Sequence, residues 1–236
     1  MGRNEKGDGG DRYRIDDYAV IGRTYAEYER TLDPSDVDLA GTRVLDCPGG
    51  ARGFTAGAVA RGADAYAVDS VYALSFPDLA ARARADLDRA VDALDGVEHL
   101  YRWDYYDDPA DLATHRRAAL ARLLAHRRAE PGRYVAGALP ELPFPDDAVD
   151  LVCSAHLLFL YADRFDHAFH AAALRELCRI AREEVRVFPL HGFDGDRYDA
   201  LDDLLLELER AGHDPAVESV PFEFQRGADA QLRVRV

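Results

Sequence analysis

Residues 43–55 have the sequence RVLDCPGGARGFT, which combines a short apolar run with a glycine-rich turn. The run over residues 42–46 is typical of a buried strand. Residues 48–50, Pro-Gly-Gly, predict a tight turn, because proline presets φ and glycine accepts a positive φ. The stretch therefore predicts a strand that ends in a sharp turn.

The residues after this turn have the spacing of a helix followed by a second strand. Phe54, Ala58 and Val59 form one apolar helix face, and Gly62 has the position of a C-cap glycine. Residues 65–68 are again apolar and predict a strand. This order of elements predicts a strand-helix-strand unit with parallel strands.

An acidic residue ends the second predicted strand. Asp69 lies 69 − 46 = 23 positions after Asp46. In nucleotide-binding units of this type, a glycine turn is followed after about 20 positions by a carboxylate that binds the ribose. The alternative is a glycine turn and a chance carboxylate, as in any doubly wound protein, but the joint pattern favours a nucleotide site.

These motifs resemble those of class I S-adenosylmethionine-dependent methyltransferases. Residues 44–50 and 67–69 are similar to the first two family motifs, and residues 136–146, leading into 149–154, are similar to the third and fourth. The resemblance covers roughly residues 40–236, with an insertion. It implies an α/β fold, a three-layer α/β/α sandwich with a seven-stranded, mostly parallel sheet of order 3-2-1-4-5-7-6 and a C-terminal antiparallel hairpin.

The sequence departs from the family pattern at two places. The first family motif carries three alternating glycines, of which Gly50 is present, whereas Pro48 and Arg52 occupy the other two positions. The family's acidic residue after the third strand, which contacts the adenine amino group, falls on Ala138. These departures leave open a protein of the same fold that binds the cofactor, or nothing, and catalyses no transfer.

The resemblance implies S-adenosyl-L-methionine as cofactor, a methyl acceptor that is a small molecule, and a set of site residues. The cofactor-binding residues would be Asp46, Gly49, Gly50, Asp69, Ser70, Leu139 and Ser154, the substrate residues Tyr25, Trp103 and Tyr161, and the candidate bases His156 and His191. Histidine titrates near neutrality and suits a base, although either histidine could instead be structural. Tyr18 or Tyr25 could face the methyl donor.

The predicted domain organisation is a disordered tail over residues 1–12 and a single domain over 13–236, with a helical insertion at 73–132 as a candidate lid. Ser75 and Asp108 have the positions of N-caps for two helices in the insertion. The aromatic segment 100–106 between those helices is either part of a substrate lid or a plug that seats the insertion.

The remaining pattern predicts elements along the whole chain. Helices are expected at 13–33, 164–182 and 197–211, and strands at 133–136, 149–154, 184–188, 217–224 and 230–236, the last two around a five-residue loop at 225–229.

Composition restricts the partners. The formal charge is −15, and Lys6 is the only lysine among 29 basic residues. An acidic surface without charge blocks is typical of a halophilic cytoplasmic protein, and it disfavours nucleic acid and membranes as partners. The oligomeric state is not predicted.

Other functions are disfavoured. A nucleotide-dependent oxidoreductase on a Rossmann sheet needs the pattern Gly-x-Gly-x-x-Gly, which is not present around residue 48. The three cysteines lack metal-ligand spacing, and Cys47 and Cys153 are expected to be buried at strand ends. His167 and His170 with His156 and Asp163 give no known metal spacing, so no metal is predicted. The Asn-Pro-Pro-aromatic motif of some amine-methylating relatives is not present after residue 154.

Overall fold

The computed structural model describes residues 18–34 and 37–236. The helices are α1 Tyr25–Thr31, α2 Phe54–Val59, α3 Phe76–Asp92, α4 Pro109–Ala129, α5 His167–Ile180 and α6 Leu201–Arg210. The strands are β1 Arg43–Asp46, β2 Asp64–Val68, β3 Tyr134–Val135, β4 Val149–Ala155, β5 Ala181–Phe188, β6 Asp214–Ser219 and β7 Ala230–Arg235. The predicted tail over residues 1–12 lies outside the described ranges.

One seven-stranded sheet organises these elements, in the order β3-β2-β1-β4-β5-β7-β6. Strands β1 to β5 pair in parallel, and β7 is antiparallel to both β5 and β6. Every residue of the central strand β4 is buried, as expected for a strand covered by helices on both faces. The predicted fold and strand order are confirmed. No helix in the described ranges is long and apolar enough to cross a membrane.

The insertion contains the two helices that its N-caps predict. The Ser75 hydroxyl accepts the N–H of Asp78 at the start of α3, and the Asp108 carboxylate accepts the N–H of Asp111 at the start of α4. Each cap satisfies one of the amide groups that the first helical turn leaves unpaired.

The expected helix over residues 13–33 is wrong for its described part, because α1 begins only at Tyr25. Thr24 and Glu27 form a capping box, which starts the helix there. Residues 18–24 are not helical and run against the domain: a Cβ on Gly22 would lie 2.8 Å from the Ala51 carbonyl oxygen. The Val20 N–H donates to Asp86 of α3 at 2.9 Å, so this segment is tied to the insertion.

The C-terminal hairpin also differs from its expected boundaries. Strand β6 ends at Ser219, which pairs with Ala230, so residues 220–229 form a connection twice as long as the predicted loop. Phe222 is 7% exposed, because the connection packs onto the insertion instead of continuing the strand. The Arg102 N–H donates to the Phe224 carbonyl at 2.7 Å, which fixes this contact.

A buried ionic network anchors α1 to the insertion. The Glu27 carboxylate is buried and accepts hydrogen bonds from Arg116 of α4 and from the Tyr106 hydroxyl. Arg23 lies 3.7 Å from the same carboxylate. Burial alone would raise the pKa of Glu27, but Arg116 and Arg23, with the Thr24 N–H and Tyr106, lower it to about 2.

Glu27→Gln should therefore destabilise the protein at neutral pH by about 3–5 kcal/mol, because it leaves two buried guanidinium groups without their carboxylate. A lowered carboxyl pKa stabilises the folded state above the ordinary pKa of 4.5, and this contribution is lost as pH falls from 4.5 towards 2. The difference between wild type and variant, measured by urea unfolding, should shrink over that interval.

Glu29→Gln is the matched control. Glu29 lies on the same helix, but its ion pair with Arg61 at 3.7 Å is exposed. Such pairs contribute little, so this variant should follow the wild type at each pH. Equal acid sensitivity of the Glu27 and Glu29 variants would contradict the role of the Glu27 network.

Candidate functional site

The glycine turn and the carboxylate of Asp69 face each other at the carboxyl ends of β1 and β2. Gly50 has a φ of +46°, and its N–H donates to Asp69 Oδ2 at 2.8 Å. The Val71 N–H donates to Oδ1 of the same side chain at 3.0 Å. These two bonds fix the carboxylate beside the turn, and its remaining lone pairs can accept hydroxyl groups.

A cavity of about 420 Å³ opens beside this pair, and we call it the glycine-turn cavity. It lies between the ends of β1 and β4, where the strand order changes direction and open α/β sheets bind ligands. Its described lining includes Tyr18, Val20, Cys47, Pro48, Gly50, Arg52, Val68, Asp69, Ser70, Val71, Gly137, Ala138, Leu139, His156, Tyr161, Phe165 and Phe169. The cofactor residues Gly50, Asp69, Ser70 and Leu139 are thus brought together.

Gly49 has a different role from its neighbour. A Cβ at this position would lie 2.7 Å from the Ala67 Cβ and would also collide with the Tyr72 hydroxyl. The residue is not among those that line the cavity. Gly49 therefore allows the turn to pack against β2, whereas Gly50 faces the open space.

Arg52, at the position of a family glycine, joins two loops of the site. Its guanidinium donates to the Pro48 carbonyl and, at 2.5 Å, to the Ala155 carbonyl at the end of β4. It also lies 3.6 Å from Asp46. The Arg52 side chain is only 6% exposed and has no atom within 4 Å of a Cβ placed on Gly50, so the space beside Gly50 stays open.

Asp46 lies behind the turn and does not line the glycine-turn cavity. Its carboxylate is buried and accepts a hydrogen bond from the Tyr28 hydroxyl at 2.7 Å. Burial raises the pKa of Asp46 to about 7, although Arg52 and Tyr28 act in the opposite direction. The structure thus places this residue under the site, as a partner of Arg52.

A second cavity, of about 110 Å³, adjoins the first, and we call it the arginine cavity. It is mainly apolar, with walls from the insertion, the end of β5 and the 220–229 connection. Its described lining includes Arg23, Arg52, Leu87, Val91, Leu94, Tyr101, Leu112, Arg116, His156, Tyr161, Phe188, Phe193, Phe222, Phe224, Gln225 and Ala228. The two cavities share Ala19, Ile21, Arg52, His156 and Tyr161.

His156 lies where the cavities meet, and its backbone has a φ of +53°, which is uncommon for a residue other than glycine. Its Nδ1 is buried and has no hydrogen-bond partner among the described residues. Burial, together with Arg23, Arg52 and Arg116, holds the pKa of His156 well below its ordinary value. The imidazole is therefore neutral at pH 7.

His191 and Ser154 are not brought to either cavity. His191 forms a β-bridge with Arg197, and burial lowers its pKa. Ser154 lies inside β4 with its hydroxyl buried. Neither residue is in the described lining of the two cavities, although the sequence analysis named both as site residues.

The predicted substrate residues Tyr25 and Trp103 also lie outside both cavities. The Tyr25 ring stacks on Phe54 at 5.6 Å and is covered by the Arg61 guanidinium. Trp103 Nε1 donates to the Glu98 carbonyl, and its ring lies 5.3 Å from that of Phe224. These contacts favour a role for Trp103 in seating the insertion on the domain over a role in contacting substrate. Tyr161, in contrast, lines both cavities, and Tyr18 lines the first.

Sequence reasoning missed Arg23, Arg116 and the phenylalanines of the 220–229 connection. Their positions depend on long-range packing, and no local motif marks them. Arg52 was visible in the sequence only as a missing glycine.

His167 and His170, which were considered as metal ligands, contact different partners. His170 is fully buried, and its ring bonds the carbonyls of Asp166 and Leu158, whereas His167 pairs with Glu207 at 3.0 Å. Within residues 18–34 and 37–236, no group of His, Cys, Asp and Glu is arranged to hold a metal ion. The cysteines Cys47 and Cys153 are buried and free, as expected.

Comparison with known proteins gives three findings. The chain is 25% identical over 222 residues to "Uncharacterized protein MJ0045" of Methanocaldococcus jannaschii, covering 94% of this chain and 97% of that protein. It is similar to the solved PH0226 protein of Pyrococcus horikoshii OT3, with 15% identity and a TM-score of 0.46 over 89% of this chain and 90% of that chain. It is also similar to a chain from the complex between the Haloferax volcanii Trm112 methyltransferase activator and a candidate methyltransferase. The identity is 18%, the TM-score is 0.46, and the match covers 90% of this chain and 92% of that chain.

A family model described as a methyltransferase domain matches residues 110–188, which include β3, β4, α5, β5 and all of α4 except its first residue. The predicted family, enzyme class and cofactor agree with this match. This match covers part of the chain, and with the sheet order 3-2-1-4-5-7-6 it supports the resemblance to class I S-adenosylmethionine-dependent methyltransferases.

Proposed function

We propose that this protein transfers a methyl group from S-adenosylmethionine to a small molecule. One observation carries the proposal: a cavity beside Gly50 and Asp69 adjoins a second cavity, and His156 lines both. A methyl donor and a methyl acceptor need two such sites with a common boundary, because the reaction depends on alignment of the two molecules.

The glycine-turn cavity fits an adenosyl group. Space beside Gly50 is open, since the nearest heavy atom to a Cβ placed there would be Asp69 Oδ2, at 3.8 Å. Asp69 would accept the ribose hydroxyls, and the backbone near Leu139 would meet the adenine. Bound S-adenosylmethionine would supply a sulfonium-activated methyl group, which passes to the acceptor as the S–CH₃ bond breaks.

His156 would accept the proton that an acceptor O–H or N–H releases, because it lines both cavities and its Nδ1 is buried without a partner among the described residues. Tyr161 would form part of the boundary between donor and acceptor. Helices α3 and α4 wall the arginine cavity, so the insertion over residues 73–132 would act as a lid that keeps water from the acceptor.

The salt adaptation, the cytoplasmic location and the class of partners stay predictions. The acidic surface favours a halophilic cytoplasmic protein without nucleic-acid or membrane partners. Ligand binding and turnover are therefore best measured in concentrated KCl.

Asp69→Ala should weaken S-adenosylmethionine binding at least about 10-fold, because a charged acceptor of two hydroxyl groups is lost. Isothermal titration calorimetry measures the change. The matched control is Asp88→Ala, an exposed carboxylate on α3, which should bind like the wild type. No binding to the wild type would refute the proposal and favour a catalytically silent protein of the same fold.

The His156 imidazole should stay neutral from pH 6 to pH 8 in the folded protein and titrate near 6.5 in urea, as an unperturbed histidine does. NMR of the ring nitrogens measures this. Arg23→Gln should raise the pKa of His156, since it removes one of the cations that lower it. A native midpoint near 6.5 would contradict the assignment.

His156→Gln should lower kcat at least about 100-fold for an acceptor that must lose a proton, while the affinity for S-adenosylmethionine is retained. Acceptors are first screened by release of S-adenosylhomocysteine. His191→Gln is the comparison, and it should retain turnover. If the two variants lose activity equally, His156 is not the base.

A further inference from the structure

The arginine cavity combines apolar walls with an excess of positive charge. Three guanidinium groups line it, from Arg23, Arg52 and Arg116, and no Asp or Glu of the described chain is in its lining. Two carboxylates lie behind these arginines: Glu27, beside Arg23 and Arg116, and Asp46, beside Arg52.

The carboxylates do not balance the cations. Burial raises the pKa of Asp46 to about 7, so it carries only part of a charge at neutral pH. Burial and Arg116 lower the pKa of Arg23 to about 10, which still leaves this guanidinium charged. Asp69 also acts on Arg52, so the least balanced charges are those of Arg23 and Arg116, which share the single carboxylate of Glu27.

Arg23 has hydrogen-bonding capacity to spare. Its Nη1 donates to the Gly22 carbonyl at 3.1 Å, and its Nε lies 3.7 Å from Glu27. A guanidinium has five N–H donors, so most of those on Arg23 are unused within the described structure. An unbalanced, buried cation is costly, and an anionic ligand would remove that cost.

We propose that the methyl acceptor is a small aromatic carboxylate whose anionic group binds Arg23 and Arg116 and whose ring lies among Phe188, Phe222 and Phe224. The role of this molecule as acceptor rests on the proposed methyl transfer, but its binding does not. The volume of about 110 Å³ suits one ring, and a planar carboxylate matches the guanidinium fork.

The position of the arginines separates this site from the cofactor. Arg23 and Arg116 line the arginine cavity only, whereas the glycine turn and Asp69 line the other. An anion held by Arg23 and Arg116 would therefore lie on the acceptor side of His156.

The test compares benzoate with benzamide, which has almost the same shape and no charge. Ligand-observed NMR titration at constant salt, on the unaltered protein, should give benzoate an affinity at least about 10-fold above that of benzamide. This comparison needs no variant, so it does not depend on how well a variant folds. Equal affinities, or no benzoate binding, would overturn the proposal.

Arg23→Gln should lower the affinity for benzoate to that for benzamide, and Arg23→Lys, which keeps the charge, should restore part of it. Arg117→Gln is the matched control, because this neighbour of Arg116 is exposed on α4 and should leave benzoate binding unchanged. Thermal unfolding confirms that each variant is folded. Unchanged benzoate binding in folded Arg23→Gln would overturn the assignment of Arg23.

Saturating S-adenosylhomocysteine distinguishes the two sites. Benzoate should bind equally well in its presence, because the two ligands occupy different cavities. Displacement of benzoate would mean that the arginines serve the cofactor's own carboxylate, which would overturn the inference. Failure of S-adenosylhomocysteine to bind, with benzoate still bound, would instead refute the proposed methyl transfer alone.

Discussion

The guanidinium of Arg52 is the contact on which the site depends. It joins the turn after β1 to the end of β4 through the carbonyls of Pro48 and Ala155, and these loops form two sides of the glycine-turn cavity. A buried guanidinium is stable only when its donors and its charge are satisfied. Asp46 lies 3.6 Å from this guanidinium and accepts a hydrogen bond from the Tyr28 hydroxyl, which explains why a carboxylate lies beside Arg52 and outside the cavity.

This arrangement changes the meaning of the missing glycine. Arg52 has no atom within 4 Å of a Cβ placed on Gly50, and its guanidinium connects the ends of β1 and β4. Gly50 keeps the one function for which a glycine is required, a positive φ beside an open space. The departure from the family motif therefore alters how the turn is held and leaves room beside it.

The sequence predicted most of the strands and the N-caps of the insertion, because periodicity, turn residues and caps are local signals, whereas the strand order followed from the family resemblance. Of the seven cofactor residues that the resemblance implied, Gly50, Asp69, Ser70 and Leu139 line the glycine-turn cavity. It could not predict that Tyr25 and Trp103 pack in the core, since an aromatic residue has the same pattern in a core and in a pocket. Arg23 and Arg116 went unnoticed because their partner Glu27 is distant from Arg116 in sequence.

The insertion after β2 and the connection between β6 and β7 are distant in sequence, and both line the arginine cavity. The insertion after β2 supplies α3 and α4, while the connection between β6 and β7 reaches back to it through Arg102 and Phe224. Strands β2 and β7 lie on opposite sides of the central pair β1–β4, so the two parts can meet only above the carboxyl edge of the sheet. The glycine-turn cavity thus depends on the sheet and its turns, whereas the arginine cavity depends on additions to the sheet. A change in the insertion would therefore alter the arginine cavity more than the space beside Gly50.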